Sequence, residues 1–233
     1  MGDQHTSTQP TIPAADTLEW HEAGSEDPDL KALDDEMAAQ GMQRVRTLVQ
    51  LHRPLPLGSN DRDGLAAITV RPFDPLTDRE DLLAVNNAAF DWHPEQGNWD
   101  DRRLSDALAQ PWVDTSGILV HDVPSTETRR EGLPALDGFC WTRIHRGVEP
   151  EAVAAGLDAV GEIWVIGAHP AFHGTGLGRA LVVAGLDHMS AQGPTSAMLY
   201  TEADNEPAMR LYAHMGFTAQ SRRGGYRSVA QHT

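Results

Sequence analysis

At 233 residues the chain is long enough to bury a true hydrophobic core without a disulfide or metal staple. Its single cysteine, Cys140, excludes an internal disulfide and points to a reducing, cytoplasmic setting. A formal net charge of −16 argues against nucleic-acid and anionic-membrane partners, and no apolar stretch nears the ~20 residues of a membrane helix.

Residues 1–17 are polar, carry Pro10 and Pro13, and show neither a basic n-region nor an apolar h-region, so they read as disordered rather than as a signal peptide. A short apolar run at 18–20 precedes a helix over 29–41, where Leu30, Leu33 and Met37 share a face and Gly41 fits the C-terminal end. Residues 44–51 alternate as a strand, and 54–64 (PLPLGSNDRDG) form a linker of turn-forming residues. This strand–helix–strand piece is too small to bury a core of its own. It is expected to dock on the remainder, by edge pairing or by laying its helix on an apolar patch, and to be dispensable for chemistry.

A second block starts at Ala67. It reads as a strand at 68–70, a helix at 78–90, an aromatic and polar loop at 91–99, a helix at 100–109 capped by Asp100, and strands at 117–120 and 138–144. Residues 161–168 (GEIWVIGA) make the strongest strand of the chain. A glycine-rich turn, a helix at 175–191, a strand at 196–201, a helix at 207–215 closed by Gly216, and the last strands from Phe217 complete the order. The fold class expected is α/β, a mixed and twisted sheet with helices on both faces.

The segment 165–179 (VIGAHPAFHGTGLGR) carries the chemistry. A strand ends, and a turn rich in glycine opens a helix whose unsatisfied N–H groups and dipole favour a pyrophosphate. The P-loop pattern fails because Gly178 is followed by Arg179 and Ala180, and a dinucleotide fingerprint would need its third glycine where Arg179 stands. Downstream, Asn205 starts a helix in which Tyr212 lies two turns along before Gly216-Phe217.

Together the two elements resemble the GNAT superfamily of acetyltransferases, with its [Arg/Gln]-Gly-x-Gly-x-[Gly/Ala] turn and later Asn…Ala…Leu-Tyr…Gly-Phe. The one departure is His173 at the Arg/Gln position. NNAAFDWHPEQGNW (86–99), FCWTRIH (139–145), 161–170 and LYTEADNEPAMRLYAHMGF (199–217) narrow the resemblance to the mycothiol synthases. That tandem-GNAT family acetylates the cysteinyl amine of cysteinyl-glucosaminyl-inositol in the last step of mycothiol biosynthesis. Residues 18–57 resemble the end of that family's N-terminal GNAT domain, 58–66 the linker, and 67–233 the catalytic domain.

The resemblance implies acetyl-CoA as donor, with Ile166, Gly167 and Ala168, the turn His173, Gly174, Thr175, Gly176, Leu177, Gly178 and Arg179, and Asn205, Glu206, Pro207, Ala208, Met209 and Arg210 binding it. It implies Glu162 as general base and Tyr212 as general acid, with Glu95, Arg143, Glu162 and Tyr200 contacting the acceptor; some relatives have Lys at the Arg143 position. Such chemistry needs these types, because an alkyl ammonium must lose a proton before attacking a thioester, and a carboxylate can take it. Glu162 is expected in phase with Trp164 and Ile166 along its strand. His169 and His173 are four apart, but Pro170 and the glycine turn preclude a helical zinc pair, so no metal is expected. The partner implied is a small-molecule amine, with no nucleic acid, no membrane and a monomeric chain. A GNAT acting on another small amine, or a catalytically silent acetyl-CoA-binding protein, stands as the alternative.

Overall fold

Residues 18–93, 96–123 and 133–229 are described by a computed structural model. In chain order the elements are β1 (Glu19–Ala23), α1 (Asp27–Ala39), β2 (Met42–Pro54), β3 (Val70–Pro72), α2 (Arg79–Ala89), α3 (Asp101–Leu108), β4 (Ile118–Asp122), β5 (Leu136–Arg146), α4 (Pro150–Ala155), β6 (Ala159–Ala168), α5 (Leu177–Ser190), β7 (Ser196–Glu202), α6 (Glu206–His214) and β8 (Thr218–Ser228). The expectation for residues 1–17 lies outside the described residues.

Local chemistry sets several boundaries. The Asp100 carboxylate accepts the Arg103 N–H at 2.7 Å and starts α3, and Asn205 Oδ1 accepts the Ala208 N–H at 3.2 Å and starts α6. Gly41, at φ 75°, lies just past the end of α1 in the left-handed conformation that glycine adopts without strain. Helix α4 has no counterpart in the sequence reading. Its six residues, from Pro150 to Ala155 ahead of Gly156 at φ 64°, are too few to show a period.

The strands form one sheet in the order β1–β8–β2–β7–β6–β5–β4–β3, all neighbours antiparallel except β6 and β7. Helices α5 and α6 cover one face, where Val49, Leu51, Cys140, Ile163, Leu181 and Leu199 pack together. Helices α2 and α3 cover the other, over Val120, Phe139, Trp141 and Val165.

The expected edge docking of residues 18–57 is corrected by this pairing. Strand β1 does sit at the edge, on β8, but β2 is internal: Leu48–Pro54 pair with β7 and Met42–His52 with β8. The boundary anticipated at 58–66 therefore separates no sheet from another. The cause is non-local, since β2 buries Val49 and Leu51, and the residue after it, Leu55, against α5-side residues more than a hundred positions away.

Strand β6 also departs from simple alternation. The register slips between Trp141↔Val165 and Thr142↔Ile163, leaving Trp164 as an extra residue. Trp164 and Val165 consequently both pack on the α2–α3 face, whereas Ile163 and Ile166 pack on the α5 face. Glu162 is thus in phase with Trp164 but not with Ile166.

Candidate active site

Strands β6 and β7 run side by side only from Gly161↔Ala197 to Ile163↔Leu199. Beyond that they part, because β7 stays paired with β2 as far as Leu48↔Glu202 and the bulged end of β6 stays paired with β5 up to Gly138↔Ala168. The gap-facing backbone of β6 from Trp164 to Ala168, which includes Ile166 and Gly167, thereby has no strand partner on β7. Peptide groups in this position seek a partner with donors and acceptors along its length.

The glycine turn lies beyond the end of β6. Gly174 (φ 77°) and Gly176 (φ 88°) hold left-handed conformations that a side chain would strain, and a Cβ on either, or on Gly178, would meet nothing within 4 Å. The Thr175 hydroxyl donates to the Phe172 carbonyl at 2.8 Å and shapes the turn. Helix α5 starts from Gly176, which has no side chain to cap it; the Leu177 N–H reaches the Thr175 hydroxyl at 3.4 Å, and the next first-turn N–H groups and the dipole are available to an anion. Two side chains here are occupied: Arg179 donates to the carbonyls of Asp61 (2.9 Å) and Asp63 (3.0 Å), and His173 Nε2 lies 3.3 Å from the Ala168 carbonyl. Any part Arg179 plays in holding an anion falls to its backbone.

On the α5 face, Tyr212 is buried among Ile163 and Leu199, the last residues to pair before the strands separate, with Phe217 edge-on at 5.5 Å. Burial pushes its phenol pKa up, with Cys140 adding to the effect, so Tyr212 is held protonated. At the start of α6 the Asn205 oxygen is spent on the cap, and Glu206 and Arg210 pair with each other at 3.0 Å in solvent. The structure brings together the gap, the turn, the α6 start and Tyr212.

The opposite face is polar. Arg143 of β5 stands directly across from Glu162 of β6, yet its guanidinium turns to Glu149 at 2.7 Å and stacks over Trp112 at 4.7 Å. Tyr200 of β7 accepts from Gln50 Nε2 at 2.8 Å under the Arg223 guanidinium, 4.5 Å from its ring. Burial, reinforced by Glu162 and other carboxylates against the opposing pull of Arg223, pushes the Tyr200 phenol up. Glu162 itself is 4% exposed and accepts from His145 Nε2 at 2.8 Å. Glu95 lies outside the described residues, but its neighbour His93 sits 3.1 Å from Arg46, which is ion-paired with Glu202 at the end of β7.

Sequence reasoning missed five residues of this face: Arg46 and Gln50 on β2, His145 on β5, Glu151 on α4 and Glu202 on β7. Two of the quoted strings offered a signal: FCWTRIH, which ends on His145, and LYTEADNEPAMRLYAHMGF, which contains Glu202. Among the described residues no group of His, Cys, Asp or Glu side chains is arranged to hold a metal ion, and no helix is long and apolar enough to cross a membrane.

Residues 137–217, which span β5 to the end of α6, match the family model for acetyltransferases of the GNAT type. The chain carries a GNAT acetyltransferase domain. A mycothiol acetyltransferase of Segniliparus rotundus is 42% identical over 191 residues, covering 80% of this chain and 65% of that protein. One from a Nocardioides species is 38% identical over 181 residues, covering 77% and 60%. The chain thus spans less than two thirds of the length of either relative. A GCN5-related N-acetyltransferase from Sphaerobacter thermophilus superposes with a TM-score of 0.64 at 18% identity, over 92% of this chain and 61% of that one, and shares the GNAT fold.

Proposed function

We propose that this chain transfers an acetyl group from acetyl-CoA to the cysteinyl amine of cysteinyl-glucosaminyl-inositol. The observation that carries the proposal is the gap between β6 and β7, with an uncapped glycine turn at one end and Glu162 and Tyr212 approaching from opposite faces of the sheet. The slender amide-bearing arm of acetyl-CoA suits the unpaired β6 backbone, and its pyrophosphate suits the start of α5. Bound there, acetyl-CoA supplies an acyl thioester.

The chain's own groups divide the remaining work. Glu162 takes a proton from the acceptor ammonium on the α2–α3 face. A β6 backbone N–H near Ile166 faces the charge that develops on the carbonyl oxygen. As the C–N bond forms and the C–S bond breaks, Tyr212, protonated at neutral pH, gives its proton to the departing thiolate from the α5 face, and the second proton shed by the amine nitrogen restores the phenol through solvent. Glu202, Tyr200, Gln50 and Arg143 offer a floor of hydrogen-bonding groups to a hydroxyl-rich acceptor, and such a floor rejects analogues that leave it unpaired.

The test is CoA-thiol release with cysteinyl-glucosaminyl-inositol, free cysteine and glucosamine in parallel, for the full chain and Glu162→Gln. The pseudodisaccharide should react far faster than either fragment, and Glu162→Gln should lose about 10²-fold or more in turnover. Equal rates on free cysteine and the pseudodisaccharide would remove the acceptor assignment and leave a GNAT for another small amine.

A further inference from the structure

The ion pair between Glu162 and His145 has no role in the transfer chemistry above. Yet His145 is the most enclosed ionisable side chain on the acceptor face, at 1% exposure. Its Nε2 lies 2.8 Å from Glu162 Oε2 on β6, and its Nδ1 lies 3.1 Å from Glu151 Oε2 on α4, a contact off the hydrogen-bonding direction. We propose that His145, gripped between Glu151 and Glu162, is a positioning residue that occupies one oxygen of the Glu162 carboxylate and leaves the other, Oε1, for the acceptor amine.

The proposal rests on Glu162 being the base. A buried carboxylate without a cation is strongly destabilised and takes up a proton, and a protonated Glu162 could accept nothing from an ammonium. The groups facing His145 decide whether it can prevent this. Glu162 approaches from β6, Glu151 from α4, and Glu149, 3.9 Å from Nδ1, from the turn before α4; Arg143, two residues back on β5, opposes them. The Tyr200 phenol of β7 feels Glu162 and Glu151 as well. Burial alone would push the imidazole down, but the carboxylates carry it up to about 9, and the same contact holds Glu151 down at about 2. At neutral pH the clamp is therefore an imidazolium between two carboxylates. Helix α4 gains a purpose from this, since it carries Glu151 to a side chain of β5.

Two measurements test the role. The first is a ¹³C NMR titration of the Glu162 carboxylate in the free protein, which needs no substrate; the second is the pH profile of kcat/KM with acetyl-CoA and the cysteinyl pseudodisaccharide. His145→Gln should move the Glu162 midpoint to higher pH, carry the acidic limb of the profile with it, and lower kcat at pH 7 about 10-fold or more, with the acetyl-CoA KM unchanged. Glu151→Gln should act in the same direction with a smaller shift, and it decides the matter should His145→Gln fail to fold by circular dichroism. An unmoved Glu162 midpoint in a folded variant overturns the positioning role. Wild-type turnover in Glu162→Gln would instead overturn the base assignment, so the two failures are distinguishable.

Discussion

Removing β2 should abolish folding, not merely trim a dispensable extension. Val49, Leu51 and Leu55 are 1%, 4% and 7% exposed in the α5-side core. At about 1.5–3 kcal/mol for each fully buried aliphatic side chain, their loss withdraws roughly 5–9 kcal/mol. A domain of this size is stable by only about 5–15 kcal/mol in total. The cut also strips β7 and β8 of a shared neighbour and removes Arg53, which pairs with Asp61 at 2.9 Å and donates to the Met215 carbonyl. A chain of residues 58–233 should show weak near-ultraviolet circular dichroism and no cooperative urea transition, whereas the full chain shows both. Leu51→Ala in the full chain should cost about 2–5 kcal/mol and stay folded. Cooperative unfolding of residues 58–233 at the midpoint of the full chain would refute the reasoning.

Three other outcomes are expected. Tyr212→Phe should lower kcat about 10²-fold while acetyl-CoA affinity, read by calorimetry, holds; wild-type turnover would place the proton donor elsewhere. Gly176→Val should weaken acetyl-CoA binding and, because φ is 88°, also lower the thermal midpoint, whereas an unchanged affinity in the folded variant would separate the turn from the phosphates. His145 is raised from 6.5 to about 9 by folding, so its stabilising contribution is complete below pH 6.5 and is lost as pH rises through 9. Urea midpoints should fall between pH 7 and 10 in the full chain and much less in His145→Gln.

The sequence made the strands and helices around the chemistry legible because their signals are local. The GEIWVIGA run, the glycine turn and the Asn205 cap each announce themselves within a few residues, and the structure has them at β6, the α5 start and the α6 start. What stayed hidden depends on distant partners. Nothing within residues 44–51 says that their neighbours are β7 and β8 rather than solvent at an edge. The extra residue at Trp164 is visible only against the register of β5, and it reverses the face assigned to Ile166. His145 gains its partner from Glu162, 17 positions later, and from a helix too short to be read.

The parting of β6 and β7 has a kinetic corollary. On the proposed reading, a donor lodged in the gap from the α5 side and an acceptor resting on the α2–α3 side would meet through the sheet, so neither would block the other's entry or exit. Both can be resident at once, which is the condition for direct transfer through a ternary complex. A covalent acyl-enzyme would need a nucleophile in the gap. Cys140, the one thiol, faces Gly185 of α5, is wholly buried, and has its pKa pushed up to about 12. Initial-rate plots at several fixed acceptor concentrations should therefore intersect instead of running parallel.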